Sequence, residues 1–434
     1  MTPAIQTEIR VQSKAEAQEL SYNLTLVFKK MTPFPEKMER PPLIAALDLG
    51  VSKWHLGLLS GQKSKVKAIQ GADKATAACE AIRLEMRRLG VTDTREVVVC
   101  HEIGRDGLWV ADRLASEGFA CVILSSDVLC DGSRKPKTDR LDAMQLAVRL
   151  ARFFDGSLEA DRVHLPPPPE VLERREVSRR RADAVEERIR YTNKFKAILA
   201  RHGEVPGKLD CGKADVESLS SALQLPLAAS EADELRSLQR HIALAEADIA
   251  DADRKMHDTA AAVLEAQAAG KPVTRLDTML VKLMGLKGVG PGLAWVLVHE
   301  LYHRRFANVR QAGAATGLVA VPRASGSTSR CAGISRRSNS RLRGDLVELA
   351  WLWRRHQPGS ALTGWFTKRT AEGVSARRMK KVAIVAMARK LAVALWKYLE
   401  HDMLPEGALV KKKVVIRNPR GAKAAEAKEA PAVA

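Results

Sequence analysis

LIAALDLGVSKWHLGLLSG, residues 43–61, decides the first domain of this chain. LIAALDLG and WHLGLLSG read as two short strands joined by a turn at Gly50–Lys53, and a turn at Gly61–Lys63 leads to KVKAIQG (65–71) as a third. Asp48 interrupts a strand that otherwise reads as buried. A carboxylate there carries a desolvation cost unless a cation or a metal meets it. Outward from this stretch come a helix over 73–89, the apolar strand EVVVCHE (96–102), a helix over 107–117 and the strand ACVIL (120–124). Three successive strands followed by helix–strand alternation describe an α/β sheet with an antiparallel start. PKTDRLDAMQLAVRLARFF (136–154) then has helical periodicity, with Thr138 as its N-cap.

The bulk properties bound the function. With 434 residues, 46% of them apolar, the chain has material for two or three cored domains. A formal charge of +20 favours a polyanionic partner such as DNA or RNA. Six cysteines, at 79, 100, 121, 130, 211 and 331, form no CxxC pair and no zinc spacing, and read as reduced thiols. No apolar run of membrane-spanning length and no signal core is present, so the expectation is a soluble, cytoplasmic, nucleoid-associated protein with no membrane partner.

Beyond the first domain, expected over 41–160 after a flexible extension over 1–40, HLPPPPE (164–170) breaks the chain. A helical arm is expected over 170–268. Its first helix, to about 202, mixes an apolar stripe with arginines 174, 175, 179, 180, 181, 188 and 190, a pattern that allows one side to pack and another to face phosphate. Its second starts at Ser230, with Asp233 as a partial capping box. Leu235, Leu238, Ile242, Ala245, Ile249, Ala252, Met256, Thr259 and Val263 repeat at spacings of three and four, the seam of a coiled coil formed within or between chains. A mainly helical domain over 276–400 contains GVGPG (288–292), similar to a helix–hairpin–helix turn, and a basic helix over 376–399. The tail, 401–434, reads as basic and disordered.

Glu102 directly follows VVVC. In a sheet with its strand beside that of Asp48, both carboxylates emerge at the edge where open α/β sheets place their sites. Asp139 and Asp142, three apart at a helix start, share one helical face about 5–6 Å apart at Cβ. Either could serve only the helix dipole. Convergence of all four would instead suit two Mg²⁺ ions about 3.5–4 Å apart clamping a phosphate. Far downstream, residues 301–344 hold nine arginines and no Asp or Glu, a segment suited to a phosphate backbone. Within it, Ser325, Ser327 and Ser329 in PRASGSTSR are candidate hydroxyl nucleophiles, and Arg323, Arg330, Arg336, Arg337, Arg341 and Arg343 candidate nucleic-acid contacts.

AALDLGVSK (45–53), the Glu102 strand and KTDRLDAMQLA (137–147) resemble the DEDD, RuvC-like domain of the insertion-sequence family 110 transposases, bridge-RNA-guided DNA recombinases. LKGVGPGLAWVLVHEL (286–301), AATGLVAVPRASG (314–326) and GISRRSNSRLRGDLVELA (333–350) are similar to that family's second half. The resemblance covers roughly 43–400, and the ordered set of motifs carries it. It implies an RNase H/RuvC-like fold with a coiled-coil insert. It further implies Mg²⁺ on Asp48, Glu102, Asp139 and Asp142, Ser325 as the nucleophile, and donor and target DNA as substrates. A noncoding guide RNA and a homodimer or homotetramer are implied as well, with the two domains forming a composite site across subunits. Two features depart from the pattern: Ser338 stands where glycine is commoner, and residues 1–40 have no counterpart. The rival expectations are a structure-selective nuclease using metal-bound water and a noncatalytic nucleic-acid-binding protein.

Overall fold

The computed structural model describes residues 40–102, 104, 107–124, 138–155, 163–164, 166–203, 209–219, 225–325, 328–334, 339–371, 376–412 and 414, without the side chains of 163–164, 322–332 and 376–378. These residues fall into two units. One holds those up to Pro167 together with Arg305–Ala315, the other Pro168–Arg304 together with those from Thr316 onward. The extension before residue 40 and most of the basic tail lie outside the described residues.

The first unit is built on a six-stranded sheet in the order β3-β2-β1-β4-β5-β6. β1 (Leu43–Leu49), β2 (Trp54–Ser60) and β3 (Lys63–Ile69) form an antiparallel meander. β4 (Val97–Glu102) and β5 (Ala120–Leu124) continue from β1 in parallel, and β6 (Val163–His164) closes the edge antiparallel. Alternation along the strands sorts side chains onto two faces. Leu43, Ala45, Leu47, Leu56, Val97 and Val99 pack with α1 (Lys74–Leu89) and α2 (Gly107–Ser116). Ile44, Ala46, Leu59, Val98 and Cys100 pack with Leu146, Ala147 and Leu150 of α3 (Asp139–Phe154). Each such branched side chain contributes about 1.5–3 kcal/mol by leaving water. The expected cap forms, Thr138 accepting from Leu141 N, and α1 is capped by Asp73, which accepts from Thr76 N. Gly57 has a steric reason. A Cβ there would stand 2.7 Å from the Ala143 carbonyl oxygen, so α3 rests directly on the backbone of β2.

The second unit opens with α4 (Pro169–Arg201) and α5 (Ala229–Ala268), an antiparallel pair within one chain. Its register is fixed by Arg181 to Asp253 at 2.6 Å and by His202 to Glu231 at 2.9 Å. Phe195, Ile198 and Leu199 meet Leu235, Leu238 and Ile242 between those contacts. The expected seam drifts toward its end, where Ala260 is buried in place of Thr259 and Ile249 is only half-buried. The expected cap at Ser230 does not form. α5 begins at Ala229 with no side-chain cap, and Asp233 instead accepts from Arg236 at 2.6 Å.

α6 (Arg275–Met284) leads through GVGPG into α7 (Pro291–Val296), which continues as a widened π turn over Leu297–Tyr302. Gly288 takes φ 84, and a Cβ on it would meet His356 Cβ at 3.0 Å. The turn is held from the C-terminal side. Lys411 donates from its ammonium to the carbonyls of Met284 and Val289, and Gln357 ties Lys287 to Leu409. The segment through Lys411 is therefore folded onto this turn, although the sequence there reads as the start of a tail. A hairpin of β7 (Ala320–Ser325) and β8 (Thr328–Ile334) follows α8 (Val309–Ala315) within the acid-free segment. The chain ends in α9 (Ser340–His356), α10 (Ala361–Ala371) and α11 (Ala376–His401).

Candidate metal centre at the sheet edge

Strand alternation aims the candidate carboxylates. Ile44 and Ala46 face α3, so Asp48 follows them on that face at the end of β1. The antiparallel register pairs Asp48 with His55, which places the imidazole on the same face. In the parallel ladder Leu47 pairs with His101, so the next positions, Asp48 and Glu102, stand side by side at the C-terminal ends of adjacent strands. Val98 and Cys100 face α3, and Glu102 continues that series. Asp139 opens α3, and Asp142 follows on the helix at 8% exposure.

These placements give one compact group. Asp48, His55 and Asp139 each offer a ligand atom, and the three atoms lie within 4.8 Å of one another. His55 Nδ1 is 3.9 Å from Asp139 Oδ2, too far for a hydrogen bond, and it is buried with no hydrogen-bond partner among the described residues. Glu102, half-buried, and Asp142 share the face but stand outside this group. Among the described residues, two of the four expected acids, Asp48 and Asp139, thus come together with a histidine. His55 escaped the sequence reading, although a hairpin turn of known length across from Asp48 carried the signal.

The donor set fits a divalent cation. Two carboxylates offer the hard oxygens such ions take, leaving positions for substrate phosphate oxygens. The imidazole nitrogen adds a ligand that transition metals accept readily. Asp48 and Asp139 would hold the ion, with Glu102 beside Asp48 to complete the oxygen set.

The acid-free segment contributes a different element. Ser325 ends β7 and pairs with Thr328, and Arg323 pairs with Arg330 across the hairpin. The side chains of these residues, and all of Arg336, Arg337 and Ser338, lie outside the described residues. Arg341, exposed near the start of α9, is ion-paired with Asp183, and Arg343 is half-buried. Asn339 caps α9 by accepting from Arg341 N and Leu342 N.

Arg174, Arg175, Arg179 and Arg181 of α4 form the packing side of the helix, whereas Arg180 and Arg190 are exposed. Arg174 bridges Glu170 at 2.9 Å and Asp277 at 2.7 Å. Arg179 donates twice to Glu300, at 2.8 and 3.1 Å, and Arg175 Nε lies 3.4 Å from the same carboxylate. Burial and Arg174 together push His299 down to about 4, so its ring is neutral within the cluster.

Residues 281–363 match the profile of the family described as Transposase IS116/IS110/IS902. Over 392 residues the chain is 32% identical to y4rJ of Sinorhizobium fredii (strain NBRC 101917 / NGR234), named for a transposase. The match spans 87% of this chain and 97% of that one. The chain belongs to the IS110 family of transposases. A second protein of that organism named for a transposase, y4qE, is 29% identical over 266 residues, 59% of each chain. In this IS110-family transposase the matched segment runs from α6 through the GVGPG turn and the β7–β8 hairpin to the start of α10. Among the described residues no helix is long and apolar enough to cross a membrane.

Proposed function

We propose that this IS110-family transposase cuts and rejoins DNA by a covalent serine route at a RuvC-like carboxylate edge. The observation that carries the reading is the approach of Asp48, His55 and Asp139 to within 4.8 Å at the C-terminal end of the central strands. Bound there, Mg²⁺ would neutralise the phosphate oxygens and the charge that develops on them. Asp48, Glu102, Asp139 and Asp142 are the oxygen donors of this reading. The Ser325 hydroxyl gives up its proton, its Oγ forms a bond to phosphorus, and the bond from phosphorus to the departing deoxyribose oxygen breaks as that oxygen takes a proton. The phosphoserine ester keeps the bond's free energy, so a second strand's hydroxyl can reverse the step and reseal without ATP. Arginines 323, 330, 336, 337, 341 and 343 hold the backbone.

The reading includes donor and target DNA, a noncoding guide RNA that selects them by base pairing, and a dimer or tetramer that brings the carboxylate unit and the serine unit to one phosphate. Support for it lies in the family membership, the acid-free arginine segment and the position of Ser325 at the hairpin end. The test incubates wild type, Asp48→Asn and Ser325→Ala with supercoiled element DNA, Mg²⁺ and RNA transcribed from the element's flanks. A covalent protein–DNA adduct in wild type, absent from both variants, is the expected result. Cleavage by Ser325→Ala at the wild-type rate, with no adduct, would mean that water is the nucleophile.

A further inference from the structure

We infer that His55 is itself a metal ligand, so that one nitrogen joins the carboxylate oxygens that hold the ion at this edge and the site prefers Mn²⁺ over Mg²⁺. The inference rests on the proposed metal site and adds a ligand that the four-acid reading lacks. His55 is 8% exposed, and its Nδ1 is buried without a hydrogen-bond partner among the described residues, where every buried polar group should have one. Nδ1 lies 3.9 Å from Asp139 Oδ2, and a ring nitrogen of His55 lies within 4.8 Å of a carboxylate oxygen of both Asp48 and Asp139. An ion at about 2.0–2.2 Å from each of two ligands spans up to about 4.4 Å between them, which covers the 3.9 Å from His55 Nδ1 to Asp139 Oδ2.

The local fold holds the ring there. His55 is the cross-strand partner of Asp48, and Gly57, two positions along the same face, lets α3 close onto β2 so that Asp139 reaches the pair. Magnesium keeps to oxygen ligands and an octahedral shell rich in water, whereas imidazole raises affinity for the later divalent metals. A nitrogen ligand therefore shifts the preference in a measurable direction.

The experiment uses the full chain, without a polyhistidine tag, DNA or RNA, and Mn²⁺ alone as the probe. Pulsed electron paramagnetic resonance of bound Mn²⁺ should show a directly coordinated nitrogen whose coupling changes when histidine is labelled with ¹⁵N. His55→Ala and His55→Gln should both lose that signal and bind Mn²⁺ at least about tenfold more weakly. Mg²⁺ affinity should change less. Circular dichroism of the metal-free variants verifies folding, and the wild-type spectrum tests the ligand without any variant. Bound Mn²⁺ with no nitrogen coupling, a coupling that survives His55→Ala, or no Mn²⁺ binding at millimolar concentration would each overturn the inference. Because cleavage is not read, a chain that bound Mn²⁺ through nitrogen yet formed no DNA adduct would refute the serine route and leave His55 as a ligand. The converse pair of results would do the opposite.

Discussion

Asp48 and Glu300 are both shielded carboxylates, and their company differs. Glu300, on the widened turn after α7, accepts both Arg179 N–H groups and lies 3.4 Å from Arg175. Asn339 donates to it as well, at 3.1 Å. Asp48 instead shares its edge with Asp139 and His55, their ligand atoms within 4.8 Å of one another. An anion matched by guanidinium groups is electrostatically satisfied. An anion grouped with another anion gains from an incoming cation. The helical unit thus uses charge to hold itself together, while the sheet unit gathers two acids and a histidine at one edge. Local density of basic residues is a poor guide to a functional surface when buried acids lie within reach.

The strongest way to break this contrast is Glu300→Ala. It leaves Arg175 and Arg179 facing each other without their shared anion, and should cost about 3–5 kcal/mol in denaturant unfolding followed by helical circular dichroism. A loss below about 1 kcal/mol would show that water already satisfies these arginines. Gly57→Ala probes the other side. Its methyl group would fall 2.7 Å from the Ala143 carbonyl oxygen, so α3 must shift. About 1–3 kcal/mol of stability should go, and Mn²⁺ binding should weaken because Asp139 moves with the helix.

Asp345 supplies a pH test within the helical unit. Burial, reinforced by Glu348 and Glu300, pushes its carboxyl up to about 6 from an ordinary 3.8. The folded state therefore holds this proton more tightly than the unfolded state. Its contribution is fully present below about pH 4 and is lost as pH rises through about 6. Asp345→Asn should remove that slope and raise stability at neutral pH by roughly 1–2 kcal/mol, as read from denaturation midpoints across pH. Arg341→Ala should have the smallest effect. Its pair with Asp183 is exposed, worth under about 1 kcal/mol. If Arg341 also contacts phosphate, the salt dependence of DNA binding should fall by about one unit of slope, while an unchanged slope would leave it a purely internal partner.

The sheet was legible because its strands are short apolar runs with clear turns, and because Thr138 is a strong cap directly before an apolar helical repeat. Asp48 was legible for the same reason, as a charge in an apolar run. His55 was not, since one histidine among apolar residues reads as core until the hairpin register sets it opposite Asp48. The cap at Ser230 failed because Arg236 lies one turn from Asp233 and takes the carboxylate. The β7–β8 hairpin was hidden by Pro322 and by arginines that break the apolar alternation. The arginines of α4 look alike in sequence, and only the long-range approach of Asp253, Asp277 and Glu300 separates internal from external ones.

The β1–β2 hairpin also sets an order of events. Asp48 and His55 are cross-strand partners joined by one tight turn, so they meet through local chain closure, on a timescale of about microseconds. Asp139 arrives only when α3 docks on the finished sheet, a non-local contact that must wait for the strands between. Two of the three residues of the cluster are thus brought together by the shorter loop. The cluster closes as the last layer of the unit is laid down, which makes its completion a readout of whether that layer has folded.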